Sequence, residues 1–316
     1  MSGTSVGRAE DFDYEINLGF DRTTLDASQL LSLPGGEIFD SLDVDIDELI
    51  LTGTWYYNGL SDSLGPRARV AFMDRASSLS VSYQELDQSF SSLRTNEDPL
   101  SPILPSEGRS RTEGDSVSMN LRHVDRDSGW FGNASWLTRD SRFLAEGIRF
   151  DNPSIDVWNV SVGKYLNEAT ALTFGFNQVE APGDSDTSTI NAEFTHLGTL
   201  GDQWQYAADF GYGRSDRPGR RDEDIWTGTF ALYPTRDFEF GVSVQHVSVD
   251  GRRGSVDPDT TSFQGFASWF VTPNVQVAAR YRVDDLEVVG SVVLADPPTR
   301  RDTDQQSLGI SATVRF

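Results

Sequence analysis

Cysteine is absent from the 316 residues, which removes disulfides and thiolate metal sites together. Long apolar runs are missing too. The longest, such as Leu49-Ile50-Leu51 and Val292-Val293-Leu294-Ala295, fall far short of the roughly 18 residues that a membrane-crossing helix needs. Positive charge is scarce: 26 Lys and Arg stand against 49 Asp and Glu, for a formal net charge of -23. A phosphate backbone requires a basic footprint that this chain lacks, so nucleic acid is excluded as a partner. Histidine occurs three times, and no motif for a cofactor is present, so none is expected. Residues 1–8 lack the basic-then-apolar layout of a signal peptide, and the expectation is a mature or trimmed start from which an export signal has been removed.

What the chain does have is alternation. Leu308, Ile310, Ala312, Val314 and Phe316 share one parity while Gly309, Ser311, Thr313 and Arg315 share the other, the two-residue period of a strand with one apolar and one polar face. Residues 11–20 repeat it, with Phe12, Tyr14, Ile16, Leu18 and Phe20 on the apolar side. So do Val117, Met119 and Leu121, then Trp158, Val160 and Val162, and later Phe238, Phe240, Val242 and Val244. A mean hydropathy of -0.41 ordinarily describes a soluble protein, but a barrel with a wet lumen gives the same average because every second strand residue is polar.

Segment 67–87 switches parity, from Ala68, Val70 and Phe72 to Leu79, Val81 and Tyr83, and is read as one long bulged strand. Connections then alternate between short turns and longer, charged, Gly- and Pro-rich segments, the asymmetry of periplasmic turns against extracellular loops. The expected fold is an all-β, transmembrane, antiparallel up-and-down barrel of 14 strands over residues 11–316, preceded by a flexible periplasmic arm at 1–10. The count becomes sixteen if 286–294 or 29–42 conceals a hairpin. Trp55, Trp130, Trp158, Tyr165, Trp204, Tyr212, Trp226, Tyr233 and Trp269 sit toward strand ends, where aromatic girdles meet the lipid interfaces.

The stretch Gly65-Pro66-Arg67-Ala68-Arg69-Val70-Ala71-Phe72-Met73-Asp74-Arg75-Ala76-Ser77-Ser78, read as strand–turn–strand, the recurring aromatic hairpins and the final Phe316 together resemble the general porins of Gram-negative outer membranes. The resemblance implies an integral outer-membrane protein that lets ions and small hydrophilic solutes diffuse passively. It implies no particular substrate. Phe316 resembles the terminal signal read by the β-barrel assembly machinery. General porins are often trimers, but no interface pattern here chooses between a homo-oligomer and a monomer.

With the apolar parity facing lipid, the pore-lining set is Asp13, Glu15, Glu193, Asp209 and Glu239 against Arg122, Arg280, Arg282 and Arg315. Closure of the last strand on the first should bring Arg315, Arg280 and Arg282 near Asp13 and Glu15. The excess of acid makes the channel cation-leaning. Two long connections are candidates to fold inward: 88–114, carrying Glu97, Asp98 and Glu107, and 21–46. Arginine pairs at Arg220-Arg221, Arg252-Arg253 and Arg300-Arg301 suit bidentate contacts to lipopolysaccharide phosphates. His123, His196 and His246 follow the lipid-facing parity and propose no nucleophile–base pair, so catalysis is not expected. The alternative to a porin is a plugged barrel used for docking or adhesion, with an outer-membrane hydrolase behind it.

Overall fold

The alternating segments pair into a closed wall. The computed structural model describes residues 11–33, 36–61, 65–96, 106–145, 148–181, 186–201, 204–216, 222–249, 259–290 and 299–316. The expected arm at 1–10 lies outside them. Fourteen strands follow in order: β1 (Asp11–Leu33), β2 (Gly36–Ser61), β3 (Ser78–Asn96), β4 (Ser106–Val124), β5 (Trp130–Ala145), β6 (Ile148–Asn167), β7 (Thr170–Glu180), β8 (Thr187–Leu200), β9 (Trp204–Asp216), β10 (Glu223–Thr235), β11 (Phe238–Val249), β12 (Asp259–Thr272), β13 (Val275–Gly290) and β14 (Thr299–Arg315). Each is antiparallel to the next, and β14 closes on β1 with Glu15 opposite Arg315 and Phe20 opposite Ile310. The sixteen-strand option falls away. Residues 29–33 and 36–40 are two arms of the β1–β2 hairpin, and 286–290 continue β13.

Apolar side chains line the outside of this cylinder. Leu18, Phe20, Leu51, Val160, Phe176, Ile190, Phe210, Val242, Phe263 and Ile310 are exposed, as are Trp55, Trp130, Trp158, Trp204, Trp226 and Trp269. No soluble protein leaves such a belt in water, whereas a bilayer is its natural solvent. The barrel is therefore a membrane-spanning one.

Three expected faces are corrected. Tyr165 and Tyr233 are buried inside the barrel, because each stands one residue out of phase with the lipid-facing parity of its strand. Phe12 is also inside, packed on Tyr56, Leu60 and Val70, because a bulge between Phe12 and Tyr14 reverses the parity of the first residues. A one-residue slip sends a side chain to the opposite face.

A strand needs about 9–11 residues to cross a bilayer. β7 has 11, but β1 to β4 have 23, 26, 19 and 19, so this side of the wall stands well above the membrane. Much of the two connections expected to fold inward, 21–46 and 88–114, is consequently strand. Their outward face meets water instead of lipid, and ion pairs take the place of apolar contacts there: Arg22 reaches Asp45 of β2 at 3.5 Å, and Arg111 meets Asp87 of β3 at 2.7 Å and Glu113 of its own strand at 3.4 Å. Glu107 lies in β4 opposite Leu93. Glu97 and Asp98 lie outside the described residues.

The opposite end is closed by tight turns at 125–129, 168–169, 236–237 and 273–274. The β2–β3 connection differs. In place of the expected bulged strand, Arg67–Arg69 form a single 3-10 turn that runs into a short helix, α1 (Val70–Met73), and only Ser78 begins β3. This segment folds into the barrel. The parity switch in the sequence marks where helix gives way to strand.

Candidate pore and its plug

The plug is shaped locally by its own punctuation. Gly65 takes a positive φ of 56°, and Pro66, whose missing N–H no helix start requires, leads into the 3-10 turn. At the other end Arg75 N–H donates to the Phe72 carbonyl and Ala76 N–H to the Ala71 carbonyl, the paired bonds of a Schellman cap. The cap requires a left-handed residue, and here it is Arg75 with φ 50° rather than glycine. Left-handed backbone costs a non-glycine residue about 1–2 kcal/mol. Contacts offset that cost: the Arg75 guanidinium lies 5.0 Å from the Tyr165 ring centroid and donates to the Arg126 carbonyl at 3.3 Å.

Apolar side chains of the plug reach three sectors of the wall. Val70 and Ala76 join Phe12, Tyr56 and Leu60 from β1 and β2. Phe72 packs on the Tyr165 ring at 5.1 Å, within a cluster of Val124, Phe131 and Ala171. Ala68 and Met73 lie against Leu197, Ala207, Ala231 and Tyr233 of β8 to β10. Burying side chains of this size contributes about 1.5–3 kcal/mol each for the largest, so the plug is seated by packing and not by charge alone.

Polar contacts fix its position. Arg67 forms an ion pair with Asp237, its N–H donates to the Arg236 carbonyl at 3.0 Å, and its own carbonyl accepts from Arg315 Nη1 at 3.3 Å. Arg69 Nη2 donates to Asp209 Oδ2 at 2.7 Å and Nε to the Tyr233 hydroxyl at 3.0 Å. Tyr233 in turn donates to Glu239 Oε1 at 2.7 Å, and Ser268 donates to Glu239 Oε2 at 3.1 Å.

Most of the expected pore-lining residues converge inside. Arg315, only 7% exposed, is held by Glu15 at 3.0 Å between the rings of Phe12 and Phe270, whose centroids lie 4.9 and 4.5 Å from its guanidinium carbon. Arg122 donates to the Tyr165 hydroxyl at 2.9 Å and stacks on Phe131 at 4.5 Å. Glu193 lies within electrostatic reach of Asp209, Arg69 and Arg122. The expected grouping of Arg280 and Arg282 with Asp13 and Glu15 does not form. Arg280 pairs with Asp21, and Arg282 with Asp284 at 2.6 Å and Ser262 at 2.9 Å, because both stand higher on the wall than Glu15. Asp13 occupies the bulge, exposed beside Gly59.

Sequence reasoning missed Asp21, Asp284, Tyr165, Tyr233 and every plug residue as lumen groups. Above the plug, a cavity of about 300 Å3 remains, bordered by Asn17, Asp21, Gln264, Arg280, Glu239 and Ser268. Apolar residues such as Ile50 and Phe266 share its lining, and the polar and charged groups among them suit it to water and small hydrophilic solutes. The histidines are engaged locally: His123 with Tyr57 at 3.1 Å, His196 with Thr170 at 3.0 Å and His246 with Thr261 at 3.0 Å.

No protein-family model matches this chain, and no curated protein sequence does. Among solved structures, the outer membrane protein Omp33 of Acinetobacter baumannii aligns over 98% of this chain and 100% of its own, at 17% identity and a TM-score of 0.51. This chain has the outer-membrane β-barrel fold. An outer membrane channel from Pseudomonas putida F1 aligns over 100% of both chains at 10% identity, but its TM-score of 0.39 adds nothing to that conclusion.

Proposed function

We propose that the protein is a channel of the bacterial outer membrane through which ions and small hydrophilic solutes diffuse, with a preference for cations at neutral pH. The observation that carries this reading is the closed fourteen-strand wall with lipid-facing apolar residues outside and a cavity inside that is bordered by Asp21, Glu239 and Arg280. Eight-stranded barrels fill themselves with side chains and barrels of sixteen or more leave an open channel; fourteen strands leave room that this chain partly fills with its plug. Reversal potentials in a salt gradient test the preference. The expected result is cation selectivity at pH 7 that shrinks as carboxylates protonate toward pH 4. Anion preference at pH 7 would overturn it.

The plug favours a second reading, a closed barrel that serves for docking, and silence of folded protein in planar bilayers would support that instead. Contact with lipopolysaccharide stays a proposal resting on guanidinium–phosphate chemistry. Arg300 and Arg301 lie in β14 opposite Val289 and Val288, while Arg220, Arg221, Arg252 and Arg253 fall outside the described residues. Replacing all six should loosen co-purifying lipopolysaccharide, and unchanged retention would count against it. Recognition of Phe316 by the assembly machinery is proposed on the same footing: its backbone bonds to Tyr14 and its ring stacks on the Tyr14 ring at 6.4 Å, so Phe316 seals the β1–β14 seam.

A further inference from the structure

We infer that the wall beside the plug is a binding socket for guanidinium-bearing solutes, and that Arg69 is its tethered occupant. The inference rests on the channel reading for its role in permeation, but the socket itself is visible without it. Its members come from consecutive strands: Glu193 from β8, Asp209 from β9, Tyr233 from β10, Glu239 from β11 and Ser268 from β12. None of them belongs to the plug. The guanidinium they hold arrives from a separate connection, as a bound ligand would.

The geometry selects for that shape of cation. Arg69 presents two N–H groups of one plane, Nε and Nη2, to two different acceptors, the Tyr233 hydroxyl at 3.0 Å and Asp209 Oδ2 at 2.7 Å. The tyrosine oxygen is free to accept because its own proton is committed to Glu239, whose second oxygen is held by Ser268. The acceptors are thus fixed before the cation enters. A planar fork matches two fixed acceptors, whereas an ammonium is a strongly hydrated point charge that gains less from them. Asp209 Oδ1 is buried with no hydrogen-bond partner, which leaves acceptor capacity that Arg69 does not use. Among the described residues no group of three or more acidic or histidine side chains is arranged to hold a metal ion. The cavity above the plug borders Glu239 and Ser268, so a solute that has entered the lumen already touches the socket's edge.

A permeating guanidinium therefore competes with Arg69 for one site. Binding it would release one anchor of the plug, and withdrawal of Arg69 would expose the socket to solute.

The test uses the full chain with Arg69→Ala and ethylguanidinium as the probe. Titration calorimetry on the folded, detergent-solubilised variant should show saturable binding that is much weaker or absent in the wild type, where Arg69 fills the site. Ethylammonium should bind at least roughly tenfold more weakly, as should ethylguanidinium to Arg69→Ala/Asp209→Asn, tenfold being on the order of one hydrogen bond to a charged group. In planar bilayers the same probe should block potassium current through Arg69→Ala in the same order. Equal binding to wild type and Arg69→Ala, no binding to either, or no discrimination between the two probes would overturn the socket. Current steps without probe binding would sink the socket and leave the channel standing; probe binding by a protein silent in bilayers would do the reverse. Should Arg69→Ala not fold, Arg69→Ser carries the same measurements.

Discussion

Arginine holds both ends of this barrel, by different means. At the turn end Arg315 is almost wholly buried, clasped by one carboxylate and two aromatic rings, and Arg69 and Arg122 are similarly enclosed. At the extended end Arg22, Arg111, Arg149 and Arg214 meet Asp45, Asp87, Asp151 and Asp222 with about half of each guanidinium side chain in water. The pairing is the same and the surroundings are not. Solvent screens the upper pairs to a worth of about 0–1 kcal/mol each, while a buried partner left alone costs about 3–5 kcal/mol. Of the upper pairs, Arg22–Asp45 and Arg111–Asp87 link neighbouring long strands in water; the lower ones fix the floor of the lumen.

Removing the most buried member should have the largest effect. Arg315→Ala leaves Glu15 enclosed without a partner and should lower stability by about 3–5 kcal/mol, read from urea unfolding in lipid vesicles. A loss below about 1 kcal/mol would erase the contrast between the two ends. Next in size is Phe72→Ala, which removes the ring seated on Tyr165 and should weaken plug docking by about 2–3 kcal/mol, below the range for a fully buried aromatic because Phe72 is partly exposed. Amide exchange should then speed up across residues 65–77 while β5 and β6 keep their protection; uniform loosening of the barrel would contradict a separately seated plug.

Much of the wall was readable in the sequence because lipid enforces one parity on every crossing strand. The expectation that Tyr165 and Tyr233 join the girdle runs against a signal present in the sequence: both break the phase of Trp158 to Val162 and of Trp226 to Phe230, and that slip points them into the lumen. Phe12 carries no such signal, since a bulge leaves no mark in the pattern of apolar residues. The plug hid for another reason. Ala68, Val70 and Phe72 alternate as a strand would, and only contacts with three distant sectors of the wall decide that they belong to a 3-10 turn and helix. The tall upper wall was hidden because it leaves the lipid: residues 21–26 carry acids and hydroxyls on either parity, and Leu42, Val44 and Ile46 take the opposite parity from the lipid-facing Leu49 and Leu51, so neither stretch continues the outward apolar pattern. Asp21 and Asp284 were lost inside that misreading, although both lie on the inward parity.

Smaller effects sharpen the upper side of the comparison. Arg111→Ala should change stability by no more than about 1 kcal/mol and leave conductance unaltered, whereas a loss near that of Arg315→Ala would show that the extended wall is more than a solvated rim. The smallest effect is confined to one turn. The Ser128 hydroxyl and then the Asp127 N–H bond to Asp125 and hold its carboxyl below the usual carboxylate range. A depressed value in the folded state means that the turn gains stability above the unfolded pKa near 3.8 and loses it as pH falls through the folded one. Carbon-13 titration of Asp125 should show its midpoint rise in Ser128→Ala; an unmoved midpoint would remove the hydroxyl as the cause.

The central claim is that a solute-sized lumen ends on a seated plug. Single-channel recording of the wild type beside a variant in which residues 65–76 are replaced by a Gly-Ser linker of equal length tests it most directly. The account predicts a several-fold larger unitary conductance in the variant, with cation preference retained. Equal conductance, or silence from both folded proteins, would contradict it.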